Sequence, residues 1–175
     1  MKKYLLLFAA ATLALLFSCT PQDNPSEPVN PPAVFDINNL QPGLSSDPLS
    51  LSADEPCTLY FKAGGKYPFS GYDDELYAHI GVVNFEWEHV QAEWDVNIEK
   101  CLWQKTEVAD VWKLPIEPTI RQWFGADDDE PLTKIGVVVR NAGGTEQTTP
   151  DFFLSVKDEG REFKPADVEM AAMPS

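Results

Sequence analysis

Short runs of alternating apolar and polar residues, separated by turn signals, constrain this chain more than any other feature. Cys57–Lys62 sets Cys57, Leu59 and Phe61 against Thr58, Tyr60 and Lys62, the two-residue period of a strand with one buried face. Ala78, Ile80 and Val82 alternate in the same way with Tyr77, His79 and Gly81. Val111–Ile116 puts Trp112, Leu114 and Ile116 on one face, and Lys134–Arg140 sets Ile135, Val137 and Val139 against Gly136, Val138 and Arg140. Phe152–Val156 points Phe152, Leu154 and Val156 inward, and Lys100–Lys105 reads as one further strand. The stretches between them, GGKYPFSGYDD, GADDDEP and NAGGTEQTTP, are rich in turn formers. Ala33–Ile37 reads as an early strand and Gln41–Asp47 as turn-like. A single short helix is expected at Pro118–Phe124, with Pro118 near its first turn and Gly125 just past its end. Short strands at this spacing predict an all-β chain, an antiparallel β-sandwich with one short helix.

The chain before these runs is of another kind. Lys2 and Lys3 precede an apolar run, Tyr4–Phe17, too short to cross a bilayer comfortably, which is the pattern of an export signal. The run ends in Leu16-Phe17-Ser18-Cys19, which resembles the lipobox of bacterial lipoproteins. That resemblance implies cleavage before Cys19 and acylation of its thiol and amine. Each buried methylene adds about 0.8 kcal/mol of membrane affinity, so several chains would anchor the protein. Thr20 follows the cysteine, which argues against inner-membrane retention, and only Asp23 supplies an acid nearby. An outer-membrane location follows as the expectation, with the cell surface favoured over the periplasmic face. Pro21–Pro32, PQDNPSEPVNPP, has too little apolar surface to fold and reads as a semi-rigid tether. The expected organisation is a signal over residues 1–18, lipidated Cys19 and tether over 19–46, a sandwich domain over 47–158, and a mobile tail over 159–175. A domain of roughly 110 residues suits a single core.

Charge limits the partners. The formal net charge is −15, which repels nucleic-acid phosphates and anionic headgroups alike. The membrane is met through the lipid anchor, and neutral ligands or other envelope proteins remain open as partners. Cys57 and Cys101 outlast lipidation; export permits a disulfide between them, while free thiols serve equally as small core residues. No reaction, metal or cofactor is legible. Glu86 with Glu88, Asp73–Glu75 and Asp127–Glu130 fall on expected turns, where acid runs are solvated charge. His79 and His89 read as packing or hydrogen-bonding residues, and no His-x-x-x-His or Cys-x-x-Cys spacing occurs.

Aromatic residues are the better lead. Tyr77–Trp103 holds three of the five tryptophans and both histidines, beside the amides of Asn84, Gln91 and Asn97. Pyranose rings stack their apolar faces on such side chains while amides bond the hydroxyls. Trp112 belongs to the core by parity and Trp123 packs down from the helix, which leaves Trp87 and Trp94 as candidate platforms, with Tyr72 a weaker one. Packing within the connection is the competing role for both tryptophans.

Several segments together carry a resemblance. These are TLYFKAG at Thr58–Gly64, LYAHIGVV at Leu76–Val83, the spacing of Trp87, Val90, Trp94 and Asn97, IRQWFG at Ile120–Gly125, KIGVVVRNAGG at Lys134–Gly144 and DFFLSV at Asp151–Val156. The set resembles a β-sandwich module of Bacteroidetes starch-utilisation lipoproteins, also found at the amino-terminal region of secreted α-amylase-family enzymes. The resemblance implies an immunoglobulin-like or carbohydrate-binding sandwich that handles neutral polysaccharide or oligosaccharide, α-glucan first, at the cell envelope. No barrel segment follows the sandwich, so the enzymes' catalytic residues have no counterpart and a non-catalytic protein is expected. Tyr77, Trp87, Trp94 and Asn97 are the expected sugar contacts. The alternative is an accessory domain that docks on another envelope protein without binding sugar.

Overall fold

The computed structural model describes residues 34–161. The signal over 1–18, Cys19, the proline-rich tether over 21–32 and the tail beyond 161 lie outside the described residues. Among the described residues nine strands and one α-helix follow in order: β1 (Gly43–Asp47), β2 (Leu51–Ser52), β3 (Cys57–Lys62), β4 (Leu76–Val83), β5 (Trp87–Glu88), β6 (Gln104–Lys105), β7 (Val111–Ile116), α1 (Ile120–Phe124), β8 (Lys134–Asn141) and β9 (Phe152–Lys157). They form two sheets, β1-β3-β7-β6 and β2-β9-β8-β4-β5. The expected all-β class is what the chain adopts.

The core lies where the alternation puts it. Leu59 and Phe61 on β3 and Leu114 and Ile116 on β7 meet Ile80 and Val82 on β4 and Ile135, Val137 and Val139 on β8. Side chains of this kind each contribute about 1.5–3 kcal/mol on full burial. Phe61 is the hub, with its ring centroid 5.9–6.3 Å from those of Trp112, Phe152, Trp103 and Phe69. On β9, Val156 is buried and Phe152 and Leu154 half-buried, whereas Phe153, Ser155 and Lys157 face solvent.

Some expectations are corrected. Gly43–Asp47 is a strand rather than a turn: it pairs antiparallel with β3 along its whole length. An edge strand needs only backbone partners, so GLSSD carries no apolar alternation to betray it. Val34–Ile37 forms no strand; Ile37–Asn39 is a 3₁₀ turn capped by Asp36, and Phe35 stacks on Tyr60 with centroids 4.5 Å apart. Of Lys100–Lys105 only the last two residues pair in a sheet, because Glu99–Cys101 is a 3₁₀ turn and Leu102 bridges to Tyr77 of the other sheet. The pairing is not wholly antiparallel, since β2 runs parallel to β9. The helix starts two residues later than expected, at Ile120. Thr119 accepts the Gln122 N–H at 3.1 Å, and Gly125 adopts φ 73° to end it.

Cys57 and Cys101 are free thiols, so the disulfide is not made. Cys57 sits on β3, whereas Cys101 lies in the 3₁₀ turn that leads into β6, with β7 between those two strands. Burial pushes their thiols up to about 12 and about 11, so they stay protonated small core residues.

A charged clasp holds the helix to both flanking segments. Arg121, 3 % exposed, donates to both oxygens of Asp158 at 2.8 Å and to Asp54 at 2.9 Å. Its remaining donors meet the backbone carbonyls of Asp127 and Glu130. Arg161 binds the same two carboxylates from the other side. The bonds from Arg121 and Arg161 hold the Asp54 carboxyl below its ordinary value.

Candidate functional site

The second sheet is buried on both faces over β4 and β8, and the second cover is the connection 84–99. On the outward face, three cross-strand pairs follow one another: Tyr77 with Arg140, His79 with Val138, and Gly81 with Gly136. The register brings the two glycines side by side and opens a slot in the sheet surface. Trp87 fills it. A Cβ on Gly136 would stand 2.8 Å from the Trp87 indole and 2.7 Å from Val83 Cγ2, and one on Gly81 would stand 2.8 Å from the Glu88 carbonyl. No larger residue fits at either position without moving the ring or its strand. Phe153 on β9, opposite Gly136, sets its ring against Trp87 with centroids 6.2 Å apart.

Trp94 covers the next two pairs. Its ring meets His79 edge-on at 5.1 Å and lies 5.8 Å from the Arg140 guanidinium, which sits 5.6 Å from the Tyr77 ring on its other side. Arg140 is 1 % exposed and has no carboxylate partner among the described residues. It donates instead to Asn97 Oδ1 at 2.9 Å and to the carbonyls of Val96 and Asn141 at 3.0 Å. A buried guanidinium thus ties the connection down by its own backbone. Burial, and then the neighbouring Arg140 charge, lower the His79 imidazole; a backbone hydrogen bond with Ala92 acts the other way.

The expected sugar contacts divide accordingly. Tyr77 is buried, and its hydroxyl donates to Glu75 at 2.8 Å, which raises its phenol. Asn97 spends its oxygen on Arg140 and its amide on the Ala142 carbonyl. Trp94 is half-buried between His79, Arg140 and Gly144. Asn84 and Gln91 are also spent internally, on Glu88 and Thr133 and on the carbonyls of His89 and Phe124. Trp87 is half-buried as well, but it borders a side chain open to solvent: Phe153 is 52 % exposed. Lys134 and Ser155, paired in register, lie exposed beside Phe153 on the same face. The structure therefore gathers Trp87, Phe153, Lys134 and Ser155; Tyr77 is buried, Trp94 packs on His79 and Arg140, and Asn97, though exposed, has its amide oxygen and nitrogen both hydrogen-bonded within the chain. Phe153 was missed because strand parity marks it only as outward; its pairing opposite Gly136 is what sets it against Trp87.

The acid clusters are dispersed. Glu88 accepts from Asn84, Glu130 meets His89 Nε2 at 2.7 Å, and Asp127–Asp129 are exposed. Among the described residues no three His, Cys, Asp or Glu side chains come together as a metal site.

No protein-family model matches this chain, and no curated protein matches it.

Proposed function

We propose that this chain is a non-catalytic, lipid-anchored outer-membrane protein whose immunoglobulin-like sandwich holds glycan at the cell envelope. One observation carries the reading: Trp87 lies locked in the Gly81–Gly136 slot with Phe153 at its edge, a preorganised aromatic ledge. A ring already fixed by packing loses little freedom when a pyranose stacks on it, so more of the contact energy appears as affinity. Lys134 and Ser155 beside it can bond hydroxyls. The preference for α-glucan rests on the sequence resemblance, and the anchor on Leu16–Cys19.

The immunoglobulin-like assignment is supported by strand order. β1-β3-β7-β6 corresponds to the A-B-E-D sheet of that fold, and β9-β8-β4-β5 to its G-F-C-C′ sheet. The usual cysteine bridge between strands B and F has no equivalent, since β8 contains no cysteine.

The test is a titration of the full chain in detergent micelles with maltoheptaose, beside a panel of other neutral glycans, followed by tryptophan fluorescence. The expected result is saturable binding that weakens at least about tenfold in Trp87→Ala, with the β-sheet circular dichroism retained. A folded protein that answers to no glycan would remove this reading. Docking on another envelope protein would then be favoured, by the exposed phenyl rings of Phe85 and Phe153, since exposed aromatics also form the centres of protein interfaces.

A further inference from the structure

The second sheet has an open edge over part of β9, close beside the ledge. Val156 donates its N–H to the Thr133 carbonyl at 2.9 Å, and β8 and β9 keep an unbroken register from there to Val137 opposite Phe152. In an antiparallel ladder, alternate residues turn both backbone groups toward the same neighbour. Phe152, Leu154 and Val156 therefore face β8 with theirs, while Phe153 and Ser155 turn theirs away from it. The strand on that side stops short, since β2 stands beside Val156 and Lys157 only. At the other end the chain bulges. Thr148 donates to the Val139 carbonyl at 2.8 Å, and the register slips over residues 149–151 before Phe152. Between bulge and β2 the Phe153 N–H and C=O and the Ser155 N–H meet no partner among the described residues.

Nothing defends this window. Sheet edges are ordinarily protected by a lysine, a proline, a bulge or a covering loop. Residues 152–155, FFLS, carry no charge and no proline, and Phe153 and Ser155 are exposed. On the core side Phe152 and Leu154 are only half-buried, with the Tyr67 ring 5.0 Å from that of Phe152. An extended segment laid there would pair the free backbone groups. Its alternate side chains would cover Phe152 and Leu154, and the others would lie against Phe153. Charge selects among such segments. Lys134 stands beside Ser155, and Lys157 lies just beyond on the same face. Both are exposed, and neither has an ion-pair partner among the described residues.

We infer that the β9 edge takes up one strand from another protein, with apolar residues at alternate positions and a carboxylate at the end that meets Lys134 and Lys157. A second copy of this chain does not fit. Two β9 edges set antiparallel would bring each copy's β2 onto the other's bulge at 149–151. Strand addition uses backbone groups and glycan stacking uses ring faces, so each is tested without the other.

The probes are the peptides acetyl-Glu-Val-X-Val-Thr-amide, with Tyr, Phe or Leu at X. They are added to the ¹⁵N-labelled full chain in micelles, and amide shifts and hydrogen exchange are followed. In the chain alone the Leu154 amide should be protected, while those of Phe153 and Ser155 exchange near the unfolded rate. With a peptide, the latter two should shift saturably and exchange at least about tenfold more slowly. N-methylation at X removes the N–H aimed at Phe153 and should weaken binding at least about tenfold, as should replacing the peptide's Glu by Lys. Ser155→Pro, which removes an N–H that β8 does not use, should weaken it likewise; the N-methylated peptide decides the matter if that variant does not fold. Phe153 and Ser155 amides already protected in the chain alone would overturn the inference, because the edge would then be covered by the chain itself or a second copy. So would amides that none of the peptides moves. An N-methylated peptide that binds equally well would overturn it too, since side chains on the ledge would then account for the contact.

Discussion

At the scale of single residues, two glycines decide what the binding face looks like. Gly81 and Gly136 have φ values any residue could adopt, so their role is space. A methyl on Gly136 would overlap both Val83 and the Trp87 indole. Gly136→Ala is therefore expected to destabilise the protein by about 1–3 kcal/mol, the usual cost of overpacking, and to displace the Trp87 ring. Denaturant unfolding monitored by tryptophan fluorescence checks both, through the midpoint and the native emission maximum. An unchanged midpoint and spectrum would mean that the slot does not hold the ring. The same scale explains why the amide candidates misled: Asn84, Gln91 and Asn97 look free in a polar connection, yet each is consumed by a backbone group or side chain distant in sequence.

At the scale of the element, the connection 84–99 is a cover rather than a loop. Apart from its two-residue strand it has little regular structure, but Trp87, Trp94, the Gln91 N–H on the Ile80 carbonyl and the Arg140 guanidinium fasten it to the sheet. His79 lies beneath it, and burial and Arg140 hold its imidazole below the ordinary 6.5. The unfolded chain takes up that proton before the folded one does. Stability from the neutral ring is thus complete above pH 6.5 and is lost as pH falls below it, toward the folded value. Unfolding midpoints should fall as the pH is lowered from roughly 7 to 5, and the protection factor of the Gln91 amide, its exchange rate relative to the unfolded chain at the same pH, should fall over the same range. His79→Leu, with His89 left in place, should flatten that slope; a slope that persists would place its origin elsewhere.

At the scale of the molecule, the two sheets share one core, and the Arg121 clasp binds three segments around the helix. Asp158 is 5 % exposed at its side chain and is also the acceptor for the Leu132 N–H. Asp158→Asn leaves a buried guanidinium short of its main counter-charge, and is expected to cost about 3–5 kcal/mol in denaturant unfolding. Asp54→Asn, half exposed, should cost much less. Equal effects would show that the clasp is not organised around the buried pair.

What the sequence determined by itself was the class of fold and most strands, because a period of two is a property of neighbouring residues. Cys57–Lys62 and Val111–Ile116 are strands over the residues expected, and Trp112 and Trp123 point into the core as parity and the helix require. The edge strand at Gly43–Asp47 was illegible because its partners are backbone groups of β3. What only the tertiary structure decided was the fate of the aromatic segment. Whether an indole faces solvent depends on what lies under it, and under Trp87 and Trp94 lie Gly136 and Arg140, far along the chain. Register across β4 and β8 put a pair of glycines beneath one ring and a buried cation beside the other, and no local pattern records that pairing.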